Sequence, residues 1–265
     1  MTALDPTGEE DERASRHILR ELGFVTRRVG DELQGTATVT PALLVPGLPH
    51  LRTSILFTWA DTMGGLLAIR SFSPRVPVTL ELDVHLLRPA PGAGEVRGVA
   101  SVAKAGRSVF VFEAAFSDGD GDVALAAGSF MASPDPGVRM PARLPEPAPP
   151  TQLLEVPLAQ RVGCVRRAPG EAVLPRSEEG LNSSNTVNGG LIALAAEEAV
   201  LSRFPGTTVC SLALRYLQPV RVGPAVATAE VREGLGQVRI RDAGSDDRLC
   251  VLATTRTFPD PRAQA

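Results

Sequence analysis

Asp61 and Glu197 are the residues of this sequence best placed to do chemistry, each a carboxylate in the middle of an otherwise apolar run. The first run reads Ile55-Leu-Phe-Thr-Trp-Ala-Asp61-Thr-Met-Gly-Gly-Leu-Leu-Ala-Ile69. The second reads Gly189-Gly-Leu-Ile-Ala-Leu-Ala-Ala-Glu197-Glu-Ala-Val-Leu201. Moving a carboxylate out of water is costly unless it is paired or hydrogen-bonded, so an acid in such a setting has a task. It can serve as a general base or nucleophile, or it can cap or pair with an internal polar group. The second run is preceded by Asn182-Ser-Ser-Asn-Thr-Val-Asn188, whereas Arg52-Thr53-Ser54 stands at the matching place before the first. Asn and Thr at such positions also suit an ordinary helix start.

Neither run has room for a polar face of normal width, so both predict buried helices, over about 53–72 and 189–204. The elements around them repeat. An amphipathic start (Arg13 to Leu22) and strands near 24–29 and 32–40 precede the first helix, and strands near 78–87, 94–105, 108–117 and 123–132 follow it. Strands near 154–167 and 171–175 precede the second, and strands near 207–217, 225–232, 237–242 and 248–258 follow it. Alternation in Glu95-Val-Arg-Gly-Val-Ala-Ser-Val and Ser108-Val-Phe-Val-Phe-Glu-Ala-Ala-Phe116 marks half-buried antiparallel strands. Leu87-Arg88-Pro89 is echoed by Leu217-Gln218-Pro219, and Phe130 before Pro134-Asp135-Pro136 by Phe258 before Pro259-Asp260-Pro261. The proline-rich stretch from Pro134 through Pro141, Pro145, Pro147, Pro149 and Pro150 reads as an extended linker. The expected organisation is therefore two α+β domains, 1–133 and 151–265, joined by a linker at 134–150.

Composition narrows the function. A net charge of −3 gives no sign of the basic face that nucleic acid needs. Lys104 is the only lysine, which reflects coding bias before anion recognition. Three cysteines (Cys164, Cys210, Cys250) and three histidines (His17, His50, His85) have no metal-ligand spacing, so no metal site is expected. No apolar stretch is long enough to span a membrane. The acidic start, Met1 to Glu12, is unlike a signal peptide, and a reduced, cytoplasmic compartment is expected.

The plan resembles the hotdog fold. The Asn182-to-Gly190 segment followed by a helix carboxylate resembles the Asn-x-x-x-Thr-x-His-Gly-Gly pattern of the PaaI-like acyl-CoA thioesterases. Val78-Thr79-Leu-Glu-Leu-Asp-Val-His-Leu-Leu-Arg88-Pro89-Ala90 is similar to that family's strand after the helix, and Ala103-Lys-Ala-Gly106-Arg107-Ser108 to its next hairpin. The resemblance implies two hotdog domains in one chain, each an antiparallel sheet wrapped around a long helix, with sites where the halves meet. Each site would take a loop and helix N-terminus from one half, and a carboxylate with its supporting hydroxyl from the other.

Carried over residue by residue, the resemblance makes Asp61 the catalytic carboxylate and Thr79 its supporting hydroxyl. Asn182 falls on the water-orienting amide, Asn188 on the histidine, and Gly189 on the glycine whose N–H polarises the thioester carbonyl. A free N–H at a helix start, beside a glycine that admits close approach, favours developing negative charge. Burial should raise the pKa of Asp61, and hydrogen bonds from Thr79 and Asn182 should oppose the rise. Gly190, Arg107 and Arg88 are candidate substrate contacts, the arginines for coenzyme A phosphates.

The two halves have lost complementary parts. Pro46, Arg52 and Thr53 replace the loop in the first half, and Val209 replaces Thr79 in the second. One composite site is thus expected, with Glu197 marking a vestigial second one. The implied activity is hydrolysis of an acyl-coenzyme A thioester, with no metal or redox cofactor and with homodimerisation of chains compatible with the fold. An enoyl-CoA hydratase or dehydratase of the same fold would want a histidine beside the acid. A non-catalytic acyl-CoA binding protein would explain the missing histidine equally well.

Overall fold

Asp61 lies near the middle of helix α1 (Thr53–Phe72) and Glu197 near the middle of helix α3 (Gly189–Arg203). Both helices are apolar nearly all round. Ile55, Leu56, Phe57, Ala60 and Met63 are buried in α1, and every residue from Gly190 to Leu201 is buried in α3. Such helices are stable only inside a wrapping layer. Helix α1 stops at Ser73-Pro74, because proline lacks the N–H and its ring excludes helical geometry at the residue before it.

The computed structural model describes residues 17–140 and 152–258. Met1 to Glu12, the first part of the amphipathic start, the prolines from Pro141 to Pro150, and the echo at Pro259-Asp260-Pro261 lie outside the described residues.

The wrapping layer is one twelve-stranded antiparallel sheet. The first half supplies β1 (Val25–Val29), β2 (Glu32–Thr38), β3 (Pro77–Leu86), β4 (Glu95–Ala105), β5 (Phe110–Asp118) and β6 (Gly121–Ala132). The second supplies β7 (Val165–Ala168), β8 (Glu171–Leu174), β9 (Thr208–Tyr216), β10 (Ala225–Arg232), β11 (Leu235–Asp242) and β12 (Arg248–Phe258). The spatial order is β1-β2-β4-β5-β6-β3-β9-β12-β11-β10-β8-β7, so the same strand order runs inward from each edge. The halves meet where β3 pairs with β9, Glu81 opposite Arg215, Asp83 opposite Ala213 and His85 opposite Ser211. Arg215 also forms ion pairs with Glu81 at 3.1 Å and Asp83 at 2.5 Å across this seam. These groups are partly exposed, so they select the register more than they stabilise it.

Helix α1 packs on the strands of its own half, α3 on those of the second, and the two helices pack on each other. Close approach depends on small residues at named points. A Cβ on Gly64 would lie 2.4 Å from the Phe112 ring, and one on Gly190 would lie 2.2 Å from Thr58 Oγ1. Trp59 stacks on Phe24 at 5.0 Å between ring centroids.

Most expected elements lie within a residue or two of their observed bounds; the exception is 154–167. That segment holds helix α2 (Leu158–Arg161), a single turn, and only then β7. Pro157 presets the backbone for a helix start, and Leu158 and Val162 bury their side chains one turn apart. The amphipathic start is a short 3-10 helix, Ile18–Leu22, where described. No helix among the described residues is long and apolar enough to cross a membrane.

Candidate active site

After Pro74 the chain returns along α1 as β3, which brings Thr79 beside Asp61. Thr79 Oγ1 donates a hydrogen bond to Asp61 Oδ1 at 2.7 Å. Burial pushes the Asp61 carboxyl up to about 6, and the Thr79 bond opposes that rise by favouring the ionised form. Oδ2 accepts no hydrogen bond among the described residues, so one oxygen is held and the other is uncommitted.

Gly189 approaches that second oxygen from the other half of the chain. A Cβ built on Gly189 would lie 3.3 Å from Asp61 Oδ2 and 2.9 Å from the Tyr216 hydroxyl. Any larger residue would therefore press on both groups, and glycine here is a requirement of space. As the first residue of α3, Gly189 has no intrahelical acceptor for its N–H, and none is provided among the described residues. The helix dipole adds to the local preference for negative charge.

Tyr216, the only tyrosine of the chain, ends β9 and donates its hydroxyl to the Gly189 carbonyl at 2.9 Å. Burial, with the nearby Asp61 charge adding to it, raises its pKa well above the ordinary phenol value, so it remains a protonated donor. Sequence reasoning missed this residue. Its signal was its place directly before Leu217-Gln218-Pro219, an echo read only for the repeat of the fold.

The structure thus brings together Asp61 and Thr79 from one half with Gly189 and Tyr216 from the other. Asn188 is the N-cap of α3 and accepts from Gly190 N–H at 2.8 Å. Asn182 Oδ1 accepts from Ser184 N–H, Thr186 N–H and the Thr186 hydroxyl at 2.9, 3.2 and 3.0 Å. These bonds, with the bridge between Leu181 and Val187, shape the loop that delivers Gly189. The amide NH2 groups of both asparagines make no hydrogen bond among the described residues. Gly190 is a packing position instead of a substrate contact, since its N–H serves Asn188 and its Cα faces Thr58.

Arg88 is also engaged within the protein. It is bound to the β5–β6 turn, to Asp118 Oδ1 at 2.5 Å and to the Asp122 and Gly121 carbonyls at 3.1 and 3.2 Å. It follows β3 at the end away from Thr79, about 30 Å along an extended chain, and a phosphate would have to displace Asp118. Arg107 is exposed in the β4–β5 turn with no ion pair among the described residues. His50 and His85 are bonded to Thr208 and Ser211 at 3.0 and 2.8 Å, away from Asp61. No group of three or more His, Cys, Asp or Glu among the described residues could hold a metal ion.

The locus around Glu197 is filled by the protein itself. Glu197 Oε1 accepts from Thr53 N–H at 3.0 Å and Ser54 N–H at 3.5 Å, and Oε2 from the Ser54 hydroxyl at 2.6 Å. Arg52, fully buried, donates to Glu197 Oε2 at 3.1 Å, pairs with Glu198 Oε1 at 2.6 Å and donates to the Leu44 carbonyl at 3.1 Å. Arg166 holds the other oxygen of Glu198 at 2.6 Å. Both acids are therefore buried and both are paired with arginine. Thr53 holds in α1 the place that Gly189 holds in α3. The N–H groups at the start of α1 are occupied by the Glu197 carboxylate, whereas Asp61, one methylene shorter, stops short of Gly189. Val209, at the place of Thr79, offers no side-chain hydroxyl, and its carbonyl accepts from Thr53 Oγ1. The neighbouring Cys164 thiol is pushed up to about 12 by burial and by Glu198, so it is inert.

Residues 50–125, which carry Asp61 and Thr79, match the family model described as Thioesterase superfamily. Among solved structures the chain is similar to an acyl-ACP thioesterase from Bacteroides thetaiotaomicron, with 14% identity and a TM-score of 0.60 over 86% of this chain and 98% of that one. It is also similar to the 12:0-ACP thioesterase from Umbellularia californica, with 13% identity and a TM-score of 0.64 over 88% and 99%. At these identities the likeness is one of fold, and it extends over both halves of the chain. No curated protein matches this sequence.

Proposed function

We propose that this chain hydrolyses acyl-coenzyme A thioesters at one composite site, formed where two hotdog units of a single chain meet. The observation that carries the reading is the approach of Asp61 Oδ2, an uncommitted carboxylate oxygen, to Gly189, the first residue of a helix. The thioester carbonyl oxygen would accept from Gly189 N–H, and Asp61 would take a proton from the attacking water. The tetrahedral intermediate then expels the thiolate, which takes back the proton held by Asp61, giving a carboxylic acid and free thiol and restoring the carboxylate. Direct attack by Asp61 uses the same geometry, through a mixed anhydride that water hydrolyses. In this reading the NH2 group of Asn182, which makes no hydrogen bond among the described residues, orients that water. Glu197 has no part in this chemistry, because its carboxylate already fills the place the carbonyl would need. The solved structures of similar fold act, by their names, on acyl-ACP. Coenzyme A and acyl carrier proteins share the phosphopantetheine thiol, so both belong in the test.

Thiol release should therefore be measured over a panel of acyl-CoA and acyl-ACP substrates of different chain length. Turnover of acyl-CoA is expected; turnover confined to acyl-ACP would move the substrate class, and hydration of an enoyl-CoA without thiol release would replace the reaction. Because Asp61 must be ionised, kcat/KM should rise tenfold per pH unit below about 6 and level off above it. Thr79→Val removes the bond that favours the ionised form, worth ~1.5 kcal/mol or more for a charged acceptor. The acid limb should then move up by about one pH unit. A limb that stays in place would separate Thr79 from the titrating group.

A further inference from the structure

The start of α3 contains a conflict between space and order. Gly190 is needed because any side chain would meet Thr58, and Gly189 because any side chain would meet Tyr216 and Asp61. Yet two successive glycines are the most mobile backbone a helix start can have. The peptide between them is held at both ends. Its N–H, from Gly190, donates to Asn188 Oδ1 at 2.8 Å, and its carbonyl, from Gly189, accepts from the Tyr216 hydroxyl at 2.9 Å. The Val187–Asn188 peptide is anchored by the bond from Asn188 N–H to the Gly180 carbonyl at 2.9 Å, and the Asn188 carbonyl itself accepts from the Leu191 and Ile192 N–H groups, both at 3.1 Å. Between these two held peptides lies the Gly189 N–H.

The other half supplies an internal comparison. Aligning Leu87-Arg88-Pro89 with Leu217-Gln218-Pro219 places Leu86 at the position of Tyr216, and Thr53-Ser54 stands at the position of Gly189-Gly190. Where the glycines are absent the hydroxyl is absent too. A Thr-Ser start is stiffer, and there the N–H groups are held by Glu197.

We infer that Tyr216 is a positioning residue, whose hydroxyl pins the Gly189–Gly190 peptide and so aims the Gly189 N–H at the reacting carbonyl. This rests on the hydrolase reading for its catalytic consequence, but the pin itself is a property of the backbone. Tyr216→Phe keeps the ring and deletes only the donor. The Gly190 amide should then exchange with solvent about tenfold faster or more, while the amides of Ala193–Leu201 keep their wild-type rates. In the same variant kcat should fall about 10- to 100-fold with KM within twofold, since binding surface is retained and alignment is lost. Asn188→Ala removes the other anchor of the same peptide and should give the same pair of signatures. The double variant should lose little beyond the larger single effect.

Unchanged Gly190 exchange in a folded Tyr216→Phe protein would overturn the pin. Faster exchange with full kcat would overturn its catalytic consequence while leaving hydrolysis in place. A wild-type protein that cleaves no thioester would sink the hydrolase reading instead, and the exchange rates would still decide whether Tyr216 holds the peptide.

Discussion

Replacing Asp61 by Asn should abolish hydrolysis and strengthen the fold, two effects in opposite directions from one atom change. The amide fits the same space and can still accept from Thr79, but it can neither take a proton from water nor attack a thioester. A loss of about 10³ in kcat is expected from removing a general base. The gain in stability follows from the direction of the pKa shift. With its carboxyl raised from 3.8 to about 6, the folded state binds this proton more tightly than the unfolded chain does. Asp61 therefore contributes favourably below about pH 4, and that contribution is lost as pH rises through 6. Above pH 6 the ionised, half-buried group costs up to about 3 kcal/mol, the equivalent of two pK units. Thermal unfolding of Asp61→Asn should show a higher Tm than wild type at pH 7.5 and little difference at pH 4. A lower Tm at pH 7.5 would identify Asp61 as a structural acid, and retained turnover would remove it from the chemistry.

Glu197→Ala should do the reverse, keeping turnover per folded molecule while destabilising the protein by about 3–5 kcal/mol. Arg52 is fully buried and meets Glu197, Glu198 and the Leu44 carbonyl, so deleting one acid leaves a guanidinium with incomplete compensation. The same change frees the Thr53 and Ser54 N–H groups that Glu197 accepts from. Arg52→Met should cost as much by leaving buried Glu197 without an arginine and Glu198 with Arg166 alone. Urea unfolding midpoints measure both, and a shift under 1 kcal/mol in either would show that water or a rearranged side chain replaces the lost partner.

How much of this was legible depended on whether the signal was local. Helix α1 was legible because it is apolar nearly all round, and the expected span of about 53–72 matches Thr53–Phe72. The strands could be placed because inward and outward residues alternate along Glu95–Val102 and Ser108–Phe116, with Val96, Ala100, Phe110 and Phe112 on the buried face. The pairing of Asp61 with Thr79 was reachable through the strand that follows the helix. Other features depend on distant residues meeting. Nothing near Arg52 in the sequence announces Glu197, 145 positions away, and a buried ion pair has no local pattern. Tyr216 reads as one more aromatic at a strand end until β9 is set beside α3. The pairing of Arg88 with Asp118 had no local signal, because a basic residue at a turn looks the same whether it awaits a phosphate or already holds a carboxylate. The turn at Leu158–Arg161 was missed because four residues are too few to show a helical period.

The seam between β3 and β9 has a further consequence. In an assembly of two identical chains, every substitution enters both symmetry-related sites at once, so neither can drift while the other is preserved. Here the backbone is continuous and the sheet unbroken from β1 to β7, so the two loci mutate separately. One could surrender its opening to an arginine and a longer acid, becoming an anchor for the fold. Its twin could keep a costly arrangement of acid, glycines and phenol. Division of labour between a stabilising half-site and a reactive one is available only to a chain that carries both.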